Sequence, residues 1–398
     1  MFKAVACATL MSVAATSASA AQLSKADLAR IEALEQRVVA MPGPQAIKGV
    51  ATIGQRMSEA GVPAVSVAFI ENGKVSWSRT FGEVLAGSCR QASPETLFQA
   101  ASLSKAVTAA AALRMVDMGQ LSLDRDVLAQ LKGWRLPNGT DGPAITLRQL
   151  LSHTAGLSVA GYPGYAAGGP VPTLAESLAG AGKTNTPALR LFAAPGGQMA
   201  YSGGGYSVVQ LLMTEASGQS FETLADRILL RPAGMNRSSF QQPLSAAQKQ
   251  VAARAHDAQG RPVAGGGHIY PELAAAGLWT TAADYARFLI AIQDSWAGGR
   301  GALLRSQTAR AMVNPVMSNY GLGVVAAGPG GRWFITHGGS NEGFQCRFAA
   351  FLDGSRQGVV IMTNSENGGR LAAAIQRTLA QAYGWPEAQL PPTPRAPA

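Results

Sequence analysis

The chain has 398 residues, 47% of them hydrophobic and only 14% charged, which supplies enough apolar surface for a large buried core and excludes a disordered polymer. Its formal net charge of +10 is scattered with no basic run, so nucleic-acid binding is excluded as its main task, while anionic ligands or surfaces stay open. One large domain or two intimate subdomains fits this length.

Residues 1–20 carry Lys3, an apolar run and the small residues Ala18-Ser19-Ala20, the pattern of a Sec-type signal peptide, so a periplasmic or secreted protein is expected. The run is too short and its exit too polar for a stable membrane anchor. Cys7 lies too close to Lys3, with Ala4 where a lipoprotein signal wants a large aliphatic residue, so lipidation is not expected. Cys89 and Cys346 remain. An oxidising compartment permits a bridge between them, and burial of each in sheet-region sequence is the alternative.

Leu28, Ile31, Leu34 and Val38 recur at helical spacing and predict a helix over residues 26–41, ended by Pro42-Gly43; a second is predicted over about 46–60, with Gly61 as its stop. Two β-rich runs then flank Asn72-Gly73, a strong short-range hairpin signal. After Ser93-Pro94 the chain enters an alanine-rich helix that stops at Gly119. At its mouth Ser102 precedes Lys105 by three residues, so hydroxyl and amine share one helical face. A serine hydroxyl needs a neighbour to take its proton, and a lysine does so when burial lowers its pKa; Ala106, Val107, Ala110 and Ala111 supply the dry flank. The bland alternative is an N-capping Ser102 or Ser104 beside an exposed lysine. A first-turn lysine has the wrong sign for the helix dipole, a broken local rule that favours function.

Further on, Ile145 to Leu151 starts a helix that breaks at Thr154-Ala155-Gly156. Residues 161–197 are rich in Gly, Pro and Ala with little periodicity, as expected of a loop over a site, where Tyr162 and Tyr165 either line a cleft or pack on the surface. Gly203-Gly204-Gly205 precedes a helix over 206–216, and others are predicted over 221–230, from a Thr281 cap through Ile292, and over 371–383. Residues 333–336, 344–351 and 358–362 read as three strands, the last two joined by a turn at Asp353-Gly354. The two early and three late strands predict one antiparallel sheet with the helical middle inserted between them. The tail, residues 386–398, is proline-rich.

Six patterns fall in order: S-L-S-K at Ser102, L-L-S-H-T-A-G-L at 150–157, Y-S-G-G-G-Y at 201–206, P-A-G-M at 232–235, Y-G-L-G at 320–323 and H-G-G at 337–339. Together they resemble the serine hydrolases related to class C β-lactamases, D-alanyl-D-alanine carboxypeptidases, and the esterases and peptidases of that group. The resemblance implies an α/β (α+β) fold of β-lactamase/transpeptidase type: an antiparallel sheet of five or more strands flanked by helices, with a mostly helical subdomain inserted. It spans roughly residues 46–383 and implies one hydrolase domain over 21–385, with a sheet part at about 46–100 and 315–385 and a helical part at about 101–314.

The same resemblance implies that Ser102 forms an acyl-enzyme, that Lys105 shares its proton, and that Tyr201 acts as base or as relay to the leaving group. It implies that His337, with Gly338 and Gly339, stands where the family carries K-T-G or H-x-G, binding a substrate carboxylate or the tyrosine. The backbone N–H groups of Ser102 and Ser340 would form the oxyanion hole. Fixed donors of that kind each lower the barrier by roughly 3 kcal/mol, and glycines let a strand approach a ligand closely. Two departures stand out. Gly203 replaces the family's Y-x-N asparagine, so the amide that would hold a substrate carbonyl is missing. His337 replaces lysine, so its charge depends on pH.

His153 lies in a stretch the family carries as a structural turn, and His256 and His268 lack metal-ligand spacing, so neither a metal nor a cofactor is expected. Glu342 is either a contact for a substrate amine or a solvated strand-end carboxylate. A small-molecule or short-peptide substrate, cleaved at an amide or ester by a peptidase, carboxypeptidase or β-lactamase-related activity, is the leading expectation. An esterase, or a sensor that acylates once without turnover, is the alternative.

Overall fold

Asn72 and Gly73 both adopt positive φ, 52° and 68°, as a tight two-residue hairpin turn requires. Our computed structural model describes residues 23–41, 48–137, 144–328 and 332–385. Residues 1–22 and 386–398, with the signal-peptide and tail expectations, lie outside them, as does the expected helix stop at Pro42-Gly43.

In chain order, helices α1 (Lys25–Gln36) and α2 (Ile53–Ala60) precede the hairpin of β1 (Ala64–Glu71) and β2 (Lys74–Gly82). The two-residue strand β3 (Phe98–Gln99) leads into α3 (Ser104–Asp117), followed by α4 (Leu147–Leu151), α5 (Leu174–Ala179), α6 (Gly203–Ser217), α7 (Phe221–Ala225), α8 (Ala246–Val251) and α9 (Leu273–Ala276). Then come β4 (Trp279–Thr280), α10 (Ala282–Ala297), α11 (Ser306–Val313), β5 (Val325–Ala327), β6 (Phe334–Asn341), β7 (Phe344–Phe351), β8 (Gly358–Thr363) and α12 (Gly368–Tyr383).

Six strands form one antiparallel sheet in the order β2-β1-β8-β7-β6-β5. The N-terminal hairpin therefore pairs with the last strand, and the mostly helical stretch between β2 and β5 is inserted. β1 is buried on both faces because the sheet is covered twice. Val65, Val67 and Phe69 pack with Ile31 of α1, Met57 of α2, and Leu371, Ile375 and Leu379 of α12. Ala64, Ala68 and Ile70 face Tyr285, Phe288 and Leu289 of α10 and the helical insertion. A large apolar side chain buried completely, such as Phe69, stabilises by about 1.5–3 kcal/mol.

Several expectations need adjusting. The first helix stops at Gln36, and Val38 instead makes a two-bond bridge with Ala51, keeping its side chain in the core while Leu28 lies exposed. The second begins at Ile53, where Thr52 and Gln55 form a reciprocal capping box that outweighs the weaker helical pattern before it. The glycine triplet is not a lead-in but the first turn of α6, capped by Ser202 Oγ on Gly205 N at 2.9 Å. The helix after Thr281 runs on to Ala297, and β5 is too short to show an alternating pattern. Cys89 is exposed and Cys346 is buried on β7, and no disulfide joins them.

Candidate active site

Ser102 sits in a single 3₁₀ turn, Ala101–Leu103, between β3 and α3, and remains partly accessible. The residue before it, Ala101, is held at φ 49°, a left-handed conformation that costs an alanine about 1–2 kcal/mol and is kept by its complete burial. β6 lies against this turn. A Cβ on Gly339 would come within 2.6 Å of Ala100 O and 2.7 Å of Cys346 Sγ, so only glycine lets the strand approach.

In the first turn of α3, Lys105 Nζ lies 3.1 Å from Ser102 Oγ and donates to Ala275 O of α9 at 2.8 Å. The residue is 2% exposed, and desolvation lowers the amine's pKa to about 7. With a pKa of about 7 the amine is charged only about half the time at pH 7, which weakens its conflict with the helix dipole. The phenol of Tyr201, just ahead of the α6 cap, lies near enough to the Ser102 side chain to interact with it; burial pushes its pKa up, so it stays protonated. Lys105 Nζ stands 5.0 Å from the Tyr201 ring centroid, and the Tyr201 and His337 rings are 6.2 Å apart. The structure thus brings residues 102, 105, 201 and 337 into one cluster.

The direction of the hydrogen bonds around His337 can be worked out from the backbone. Ser202 N–H donates to His153 Nδ1 at 3.0 Å, so that nitrogen holds the lone pair. Burial keeps His153 neutral, which places its proton on Nε2, directed at Tyr320 Oη at 3.1 Å. The Tyr320 hydroxyl then donates to His337 Nε2 at 2.9 Å, and His337 Nδ1–H donates to Gly338 O at 2.6 Å. Both ring nitrogens of His337 are occupied. Desolvation first, and then the nearby Lys105 charge, lowers its pKa to about 4, so it is neutral at pH 7.

Sequence reasoning assigns His153 to a turn and gives Tyr320 no role. The available signal is their place in L-L-S-H-T-A-G-L and Y-G-L-G, two turns that the bond from Gly323 N to Leu151 O, 3.0 Å, holds together. His153 also sits at φ 59°, strain of the kind that clusters at functional sites. Tyr320→Phe would strand one polar nitrogen on each buried imidazole at about 1–3 kcal/mol apiece. We expect a matching loss of stability in urea unfolding near pH 7, and no loss there would show that the chain of bonds is not formed.

The hairpin geometry orients Ser340. Glu342-Gly343 is a two-residue turn, so Asn341 and Phe344 form its hydrogen-bonded closing pair. Alternation along the ladder then makes Ser340 and Gln345 a non-hydrogen-bonded pair, with the Ser340 N–H directed away from β7. That side of β6 is the one that carries the Ser102 turn beyond the end of β5. Glu342 is exposed at the turn.

A partly accessible serine backed by a buried amine three residues on, beside a sheet-edge strand, is the architecture of the serine hydrolases that work through S-x-x-K. The chain belongs to the Beta-lactamase family, whose model matches residues 50–383. It is 26% identical over 234 residues to Protein flp of Staphylococcus aureus strain N315, a match covering 56% of this chain and 42% of that relative. The chain spans about half the length of the curated relatives it matches. Among solved structures it resembles the octameric penicillin-binding protein homologue from Pyrococcus abyssi, with TM-score 0.70 and 24% identity over 85% of this chain and 77% of that one. It also resembles a D-alanine carboxypeptidase AmpC from Burkholderia cenocepacia, with TM-score 0.64 and 21% identity over 83% and 96% of the two chains. At these identities the structural likenesses carry the fold.

Proposed function

We propose that the chain is an exported serine hydrolase that cleaves small uncharged esters through a Ser102 acyl-enzyme. The observation that carries this reading is the convergence of Lys105 Nζ and the Tyr201 phenol on Ser102 Oγ, with the amine tuned to about pH 7. As Oγ attacks the substrate carbonyl, its proton passes to neutral Lys105, and the developing oxyanion is held by the N–H groups of Ser102 and Ser340. Tyr201 gives its proton to the departing alkoxide and is recharged from Lys105. Water then attacks the ester of Ser102, its proton passes to neutral Lys105 and from there to the departing Ser102 Oγ, and the free acid leaves.

Two features favour an ester over a peptide carboxylate or a β-lactam. His337 is neutral with both nitrogens occupied, so it offers a substrate carboxylate neither charge nor donor. Gly203 provides no side-chain amide for a substrate amide carbonyl. An ester needs neither, and its leaving group is expelled with less help from a proton donor. The test compares a chromogenic acetate ester, a D-alanyl dipeptide and a chromogenic cephalosporin on the purified protein. The ester is expected to have a kcat/KM at least about 100-fold above the other two, the scale on which unmet polar contacts discriminate. Equal or faster turnover of the dipeptide or the cephalosporin would overturn the ester reading, and covalent labelling by a fluorophosphonate with no turnover of any substrate would make the protein a sensor instead.

A further inference from the structure

Gly203 leaves a gap in the family pattern, and the space its side chain would take is already filled. A Cβ built on Gly203 would meet the Tyr162 ring at 3.2 Å (Cε2) and 3.4 Å (Cδ2), and Ala160 O at 3.2 Å. The ring is fixed there at both ends. Its hydroxyl bonds Ser207 Oγ at 2.8 Å, one helical turn along the same face of α6. The backbone leading to it is tied to the α6 N-terminus by Gly203 N to Ala160 O and Gly204 N to Val159 O, both 3.0 Å. Burial pushes the phenol pKa far up, so the group is neutral.

The face that Tyr162 covers is connected to the candidate site through neighbouring elements. Tyr201 lies two residues before Gly203, and Gln210, on the same face two turns on, holds α9 through Ala274 N at 3.0 Å and Pro271 O at 3.0 Å. α9 in turn supplies the Ala275 carbonyl that anchors Lys105. Tyr162 remains partly exposed, at the edge of this wall and not sealed inside it.

We propose that Tyr162 is a specificity-determining residue: it replaces the absent polar side chain at position 203 with an aromatic wall whose one polar atom is engaged by Ser207, and so selects short, apolar acyl groups. This rests on the reading of Ser102 as the acylated residue. Residues 161–197 then act on the site through this ring.

The experiment measures fluorophosphonate labelling rates with a short and a long alkyl probe, and in parallel kcat/KM for acetate and octanoate chromogenic esters, in the native protein and in Tyr162→Ala, Tyr162→Leu and Tyr162→Phe. The long-to-short ratio is expected to rise about tenfold in Tyr162→Ala, by less in Tyr162→Leu, and to stay near the native value in Tyr162→Phe, which keeps the wall. Gly203→Asn is expected to label poorly alone and to recover in the Tyr162→Ala background. Unchanged ratios in both smaller variants, or a Tyr162→Phe that behaves like Tyr162→Ala, would overturn the proposal. If Ser102 is not the reacting group, Ser102→Ala labels as the native protein does or the native protein labels with neither probe, which separates failure of that reading from failure of this one.

Discussion

Ser102→Ala is expected to abolish fluorophosphonate labelling and to lower ester turnover by at least about 10⁴-fold, because among the described residues no other hydroxyl is paired with the deprotonatable amine of this cleft. The backbone donors would remain, so a residual rate above that of water is expected, as when a nucleophile is removed and its oxyanion site is left intact. The fold should be unaffected, since the hydroxyl is partly exposed and its loss leaves Lys105 bonded to Ala275 O. Intensity by mass spectrometry at the native adduct mass in Ser102→Ala would remove this serine from the mechanism.

The second large effect belongs to Lys105. Lys105→Met is expected to lower kcat/KM for the ester by about 10³-fold, in the range that a positioned general base contributes. In the native protein the acylation rate should rise with pH to a plateau, with a midpoint near the amine's pKa of about 7, and the midpoint should vanish in the variant. Stability should also rise with pH, over the interval between the folded and unfolded pKa values. The folded amine titrates at about 7 and the unfolded one at 10.5, so the unfolded chain binds more protons between those values. The native protein therefore gains stability as pH rises from about 7 toward 10.5 and loses it as pH falls through that window. Lys105→Met, similar in volume and uncharged, removes this dependence and should be more stable than native at pH 7. A variant that keeps its activity, or a native urea midpoint that stays flat from pH 7 to 10, would contradict the assignment.

Much of the scaffold was legible because it follows from local physics. Asn72-Gly73 forced the hairpin turn through its positive φ angles, and the three-residue spacing of Ser102 and Lys105 put hydroxyl and amine on one face. Six ordered motifs pointed to the family. Where local signals were weak or competed, boundaries moved: Thr52 overrode a helical pattern, and the glycine triplet became a helical turn because Ser202 capped it.

The charge of His337 and the filling of the gap at Gly203 could not be read in this way. A side chain's protonation depends on what surrounds it, and the groups that matter are distant in the chain: His153 and Tyr320 are 167 residues apart, Ser202 and His153 are 49 apart, and Tyr162 meets Ser207 from 45 residues away. The amino-acid sequence determined which chemical groups are available and their spacing along each helix and strand. Only the packing of helical insertion against sheet decided which of them are dry, which are neutral, and which fill the cleft, because burial and long-range hydrogen bonding are properties of the assembled core.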